Sequence, residues 1–105
     1  MATHEAREVL VVLGHIGVDT RARRPFDFYL YFPTESAAIA ARRELAESGF
    51  TCKVRPSPHG DWLCLAGARL IPDDTALETV FHLMATMAED FGGAFDGWET
   101  AVKLH

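Results

Sequence analysis

Apolar and polar residues alternate from 26 to 32. Phe26, Phe28, Leu30 and Phe32 fall on one side, and Asp27, Tyr29 and Tyr31 on the other. A period of two is that of a strand with one buried face, and Pro33 ends it. The period then changes. Ala38, Ala41 and Leu45 recur at helical spacing over 35–48, with Thr34 placed to cap the start and Gly49 placed to leave the end in a left-handed conformation. Phe50 to Arg55 alternates again, with Phe50, Cys52 and Val54 inward and Thr51, Lys53 and Arg55 outward. Pro56-Ser57-Pro58-His59-Gly60 has turn composition. Asp61 to Leu70 is apolar on both faces, as a central strand would be. The Asp73-Asp74-Thr75 cluster offers caps, and Thr75 with Glu78 fits a capping box, ahead of a stripe formed by Leu77, Val80, Phe81, Met84, Ala88 and Phe91. Gly92-Gly93 stops that helix, and residues 95–102 supply a last strand. Upstream, Val9, Leu10, Leu13 and Ile16 predict a helix over 4–16 capped by Thr3. The β-branched pair Val11-Val12 keeps a strand open as the alternative. Arg21, Arg23 and Arg24 read as a linker ending at Pro25.

After the first helix the order is therefore βαββαβ. This split pattern predicts an α+β ferredoxin-like plait, with a four-stranded antiparallel sheet and two helices on one face, the 26–32 and 62–69 strands being central. A chain of 105 residues suits one domain over 1–105. Within it, 1–24 form the N-terminal helix and linker, and 25–102 form the plait.

A tight hairpin near residue 58 would set Cys52 opposite Cys64 and Val54 opposite Trp62. Phe50, Cys52, Val54, Trp62, Cys64 and Ala66 would then share the helix-covered face. The other face would gather Tyr29, Tyr31, Leu63 and Leu65 beside Thr51 and Lys53. Burying one such side chain is worth about 1.5–3 kcal/mol, so an uncovered group of four calls for a cover. Four covers are open: the N-terminal helix, a second copy of the chain, a different protein, or single-stranded RNA.

Charge divides the chain. Residues 1–72 carry nine Lys/Arg and eight Asp/Glu, whereas 73–105 carry one Lys and seven acids, within a net of −5. The acidic portion suits a basic protein partner and repels nucleic acid, with Glu89 and Asp90 placed to steer such a partner. A solvated helix face is the plainer reading of the same residues. Hydrophobic residues at 49% allow a real core and argue against wholesale disorder. Val9 to Leu13 is too short to span a bilayer and follows Glu5 and Glu8 rather than a basic segment, so the expected location is the cytoplasm. Cys52 and Cys64 are too few for a disulfide framework and read as small buried thiols.

Little in the sequence points to catalysis. His4, His15, His59, His82 and His105 are scattered without ligand spacing, so no metal and no cofactor is expected. His59 and Asp61 could act as a base and its orienter, but Ser57 between two prolines is the only nearby hydroxyl, and turn chemistry explains all three. Tyr29 and Tyr31 suggest a base-stacking platform, yet only Lys53 and Arg55 flank them. The alternatives kept for function are thus a single-stranded RNA-binding plait and a small-ligand-sensing domain.

Phe28-Tyr29-Leu30-Tyr31-Phe32-Pro33, the segment Leu45-Ala46-Glu47-Ser48-Gly49-Phe50, Trp62-Leu63-Cys64-Leu65 and the closing Phe95-Asp96-Gly97-Trp98-Glu99 occur in this order. In that series the chain resembles the regulator of ribonuclease activity B family, known as ribonuclease E inhibitors. The likeness runs from about Glu8 to Thr100, and Asp96, Gly97 and Trp98 form its most specific piece. The resemblance implies a ferredoxin-like sandwich and a non-catalytic regulator that binds an endoribonuclease and alters which RNAs are degraded. The expected contacts are Tyr29, Tyr31, Leu63 and Leu65. The expected partners are a ribonuclease E-like enzyme or another cytosolic protein, with a homodimer as a further arrangement.

Overall fold

β1 (Arg24–Phe32), α1 (Glu35–Glu47), β2 (Thr51–Pro56), β3 (Trp62–Leu70), α2 (Asp74–Asp90) and β4 (Ala94–Thr100) follow one another in a computed structural model that describes residues 21–100. The helix expected over 4–16 and its Thr3 cap lie outside the described residues. The strands form one antiparallel sheet in the order β2-β3-β1-β4, so the two most apolar strands are central. This is the ferredoxin-like arrangement the βαββαβ order predicts.

Both helices lie on the side of the sheet bearing Phe26, Phe28, Leu30 and Phe32, all at most 1% exposed. Ala38, Ala41 and Leu45 of α1 and Leu77, Phe81, Met84 and Ala88 of α2 close the core from above. The alanines of α1 let that helix lie close over β2 and β3. Phe28 is the hub. Its ring centroid lies 6.1 Å from Phe26, 6.3 Å from Phe50, 6.2 Å from Phe81 and 6.3 Å from Phe95.

Both helices end in the same way. Phe50 N donates to Leu45 O and Gly49 N to Ala46 O; Gly93 N donates to Ala88 O and Gly92 N to Glu89 O. These are Schellman pairs, with Gly49 at φ +96 and Gly92 at φ +74 supplying the left-handed residue. The starts differ. Thr34 caps α1 as its position predicts, accepting from Ala37 N at 3.1 Å. Of the caps that the Asp73-Asp74-Thr75 cluster offers, α2 uses Asp73, which accepts from Ala76 N at 2.7 Å, rather than Thr75 in a box with Glu78. Asp73 comes first after Pro72, and its carboxylate is the better acceptor at a helix N-terminus.

Three further expectations change. The β2–β3 register is two residues from the expected one: Cys52 faces Ala66, Val54 faces Cys64 and Pro56 faces Trp62. The connection is a wider loop over 57–61, closed by Ser57 N donating to Asp61 O at 2.9 Å and Gly60 N to Ser57 O at 3.2 Å. Because the slip is even, every side chain keeps its expected face. Phe50 is buried but precedes β2 rather than beginning it. Arg24 is the first residue of β1 rather than linker. Its Nε donates to Thr100 Oγ1 at 3.1 Å, and Thr100 Oγ1 donates to Pro25 O at 2.7 Å, which ties the end of β4 to the start of the central strand.

Candidate functional site

No described element covers the second face of the sheet. The register arranges its side chains in three rows running from β2 to β4, Thr51–Gly67–Asp27–Glu99, Lys53–Leu65–Tyr29–Gly97 and Arg55–Leu63–Tyr31–Ala94, with a shorter Arg69–Pro25 row beyond the first. Tyr29, Tyr31, Leu63 and Leu65, expected together from the alternation, thus form a two-by-two block at the centre, each half-buried. Lys53 and Arg55 stand exposed along the β2 side. On the β4 side Gly97 and Ala94 leave the block with a low shoulder. Gly67 has no side chain to crowd Asp27; a Cβ there would sit 3.0 Å from Asp27 Oδ1.

Tyr29 is the most constrained member. Hydrogen bonding to the Glu99 carboxylate comes first, with desolvation and the charges of Glu99 and Asp27 adding to it, and together they push the phenol up to about 12. The raised value means that the folded chain favours the neutral phenol. The stabilisation is fully present below pH 10, the ordinary tyrosine value, and is lost as pH rises through about 12. The expected result is a late tyrosinate absorbance step in an alkaline titration, and Glu99→Gln should move that step back toward the ordinary value. An unchanged step would remove the Tyr29–Glu99 bond from the description.

Asp96, Gly97 and Trp98 divide between the two faces. The β1–β4 register shifts between Tyr29 and Leu30, so Tyr29 faces Gly97 while Leu30 faces Phe95. Asp96 is the extra residue of a bulge and points to solvent, and Gly97 takes φ +151, which few side chains tolerate. The bulge turns both Phe95 and Trp98 toward the helices, where Trp98 packs on Phe26 at 5.8 Å and Phe95 on Phe81 at 6.0 Å. It leaves Gly97 and Glu99 on the uncovered face. Among the described residues, no hydrogen bond to the Asp96 carboxylate is formed.

Glu89 and Asp90 do not join the central block. They are exposed in the last turn of α2, which lies in the helical layer. No basic residue offsets them there, so both oppose the helix dipole. Cys52 and Cys64 are free thiols on the helix-covered face, diagonal across β2 and β3, with Cys64 buried and Cys52 half-buried. Hydrogen bonding to Cys52, then burial, push the Cys64 thiol up and keep it protonated. In the 57–61 loop, Ser57 Oγ accepts from His59 N at 3.2 Å, which is turn chemistry rather than a nucleophile beside its base. Among the described residues, no group of three potential metal ligands converges, and no helix is long and apolar enough to cross a membrane.

Glu99 is the site residue that strict alternation hides, because the bulge must be placed before its face is known. Comparison with known proteins adds one positive finding: the family model described as regulator of ribonuclease activity B matches residues 3–100. No curated protein matches the chain.

Proposed function

Because the chain belongs to the regulator of ribonuclease activity B family, we propose that it is a non-catalytic, cytoplasmic regulator that binds an endoribonuclease through the uncovered sheet face and so changes which RNAs are degraded. The observation that carries this reading is the block Tyr29, Tyr31, Leu63 and Leu65, which forms one contiguous apolar surface opposite both described helices. Aromatic and aliphatic side chains held rigidly by a sheet lose little entropy on docking, and a few central residues of this kind supply most of the affinity at protein interfaces. Glu89 and Asp90 would act at a distance, raising the association rate with a basic partner in a salt-sensitive way.

The test is Tyr31→Ala combined with Leu65→Ser. Affinity for a ribonuclease E-type enzyme should fall by about 2–4 kcal/mol, measured by calorimetry, while the far-ultraviolet circular dichroism stays that of the parent. Retained affinity would move the docking surface elsewhere. Loss of the folded spectrum would make these residues part of the chain's own core.

A further inference from the structure

The uncovered face has a polarity that the family membership does not explain. Two of its basic members, Lys53 and Arg55, lie in successive rows of the outer strand β2, and both are exposed on the same side as the apolar block; the third, Arg69, lies on β3 beyond the row of Asp27. Its carboxylates, Asp27 and Glu99, lie in the first row, on the two strands at the opposite side of the sheet. Between them stand Leu65 and Tyr29 in one row and Leu63 and Tyr31 in the next. Among the described residues, Gly97 and Ala94 follow Tyr29 and Tyr31 in these rows, so an occupant meets a charged wall on one flank and a shallow ledge on the other.

The shape selects the kind of occupant. β3 and β1 are each hydrogen-bonded on both sides, so no backbone group is free on this face to pair an added strand. An extended peptide laid over Leu63, Leu65, Tyr29 and Tyr31 would leave its own N–H and C=O groups unpaired against apolar side chains. A helix satisfies those groups internally. Its diameter of about 10 Å matches the width of two strands spaced about 4.8 Å apart.

Resting on the reading of this face as the docking surface, we propose that its occupant is an amphipathic helical segment of the partner. The apolar side of that segment lies on the Leu63–Leu65–Tyr29–Tyr31 block, and carboxylates line the flank laid against Lys53 and Arg55. Charge complementarity fixes the orientation, and the ledge at Gly97 and Ala94 admits bulk on the opposite flank.

The probe is a fluorescein-labelled synthetic amphipathic helix of about 18 residues with glutamates along one flank, compared by anisotropy with a twin carrying lysines at those positions. The full-length protein should bind the glutamate peptide about tenfold or more tightly than its twin, and Lys53→Glu with Arg55→Glu should reverse the preference. Salt at about 0.5 M should shrink the difference. Equal binding of the two peptides, or none, overturns the proposal. A dimer in sedimentation that Leu65→Ser dissociates would assign the face to a second copy. Preferential binding of single-stranded RNA would assign it to nucleic acid. Unfolding of the chain by Leu65→Ser would assign it to the chain itself. Each of these results also overturns the proposal. If both peptides fail while Tyr31→Ala with Leu65→Ser still weakens the ribonuclease complex, the docking face stands and only the acidic-helix occupant falls.

Discussion

Gly93→Ala should destabilise the protein by about 3 kcal/mol, far more than the same change at its neighbour Gly92. A Cβ at Gly93 would run into the Tyr31 carbonyl oxygen and come within 2.5 Å of a Phe32 ring carbon, so the obstacle is partly backbone and partly a fully buried ring. Neither can retreat without moving β1, on which the whole sheet is built. Gly92 has the positive φ of +74, but a Cβ there meets nothing within 4 Å. Gly92→Ala therefore bears only the left-handed backbone cost of about 1 kcal/mol. The measurement is chemical denaturation followed through Trp62 and Trp98, supported by thermal melting, where the Gly93 variant should lose roughly 12–24 °C. Equal losses at the two positions would mean that helix termination, not the approach of α2's end to β1, is what the glycine pair provides. Since β4 begins at Ala94, the Gly93 variant should also disturb the placement of Gly97 and Glu99 beside Tyr29.

Phe28→Ala should cost about 4 kcal/mol, a large part of the 5–15 kcal/mol typical of a whole domain. Phe28 has no solvent exposure, and its ring meets residues from β1, α2, β4 and the entry to β2. Removing it leaves a cavity that four separately anchored elements would have to collapse to fill. The denaturation midpoint should fall sharply with little change in slope. Tyr31→Ala, three residues along β1 and on the face that no described helix covers, should cost no more than about 1 kcal/mol. If the Tyr31 variant proved as damaging as the Phe28 one, the sheet would have two cores rather than one.

The contrast between those two residues was readable from the alternation over 26–32, because a period of two sorts side chains by face whatever the partner strand does. The same logic kept Cys52, Val54, Cys64 and Ala66 on the covered face even though the β2–β3 pairing is displaced by two residues. What alternation cannot supply is the length of the 57–61 loop, where Ser57 and Asp61 close a wider turn than the two prolines suggest. Asp73 displaces Thr75 as the cap of α2 for a related reason: several adjacent residues can cap, and the choice depends on where the chain leaves Pro72. The Tyr29–Glu99 contact was the least legible feature. Phe95 and Trp98 are three residues apart, a spacing no flat strand can place on one face, and Gly97 between them was the available sign of a bulge. The close approach at Gly93 left no mark in the sequence beyond a second glycine after a helix end.

The bulge at Asp96 has a bearing on self-association. An open four-stranded sheet has two margins, and each is a template for a stray strand from another molecule. On β4 the extra residue and the φ of +151 at Gly97 break the regular run of donors and acceptors. On β2 the margin ends in Pro56, which has no N–H to offer, and carries Lys53 and Arg55. Fibrous stacking through either rim is thereby discouraged, which leaves the broad face as the side on which the proposed partner would dock.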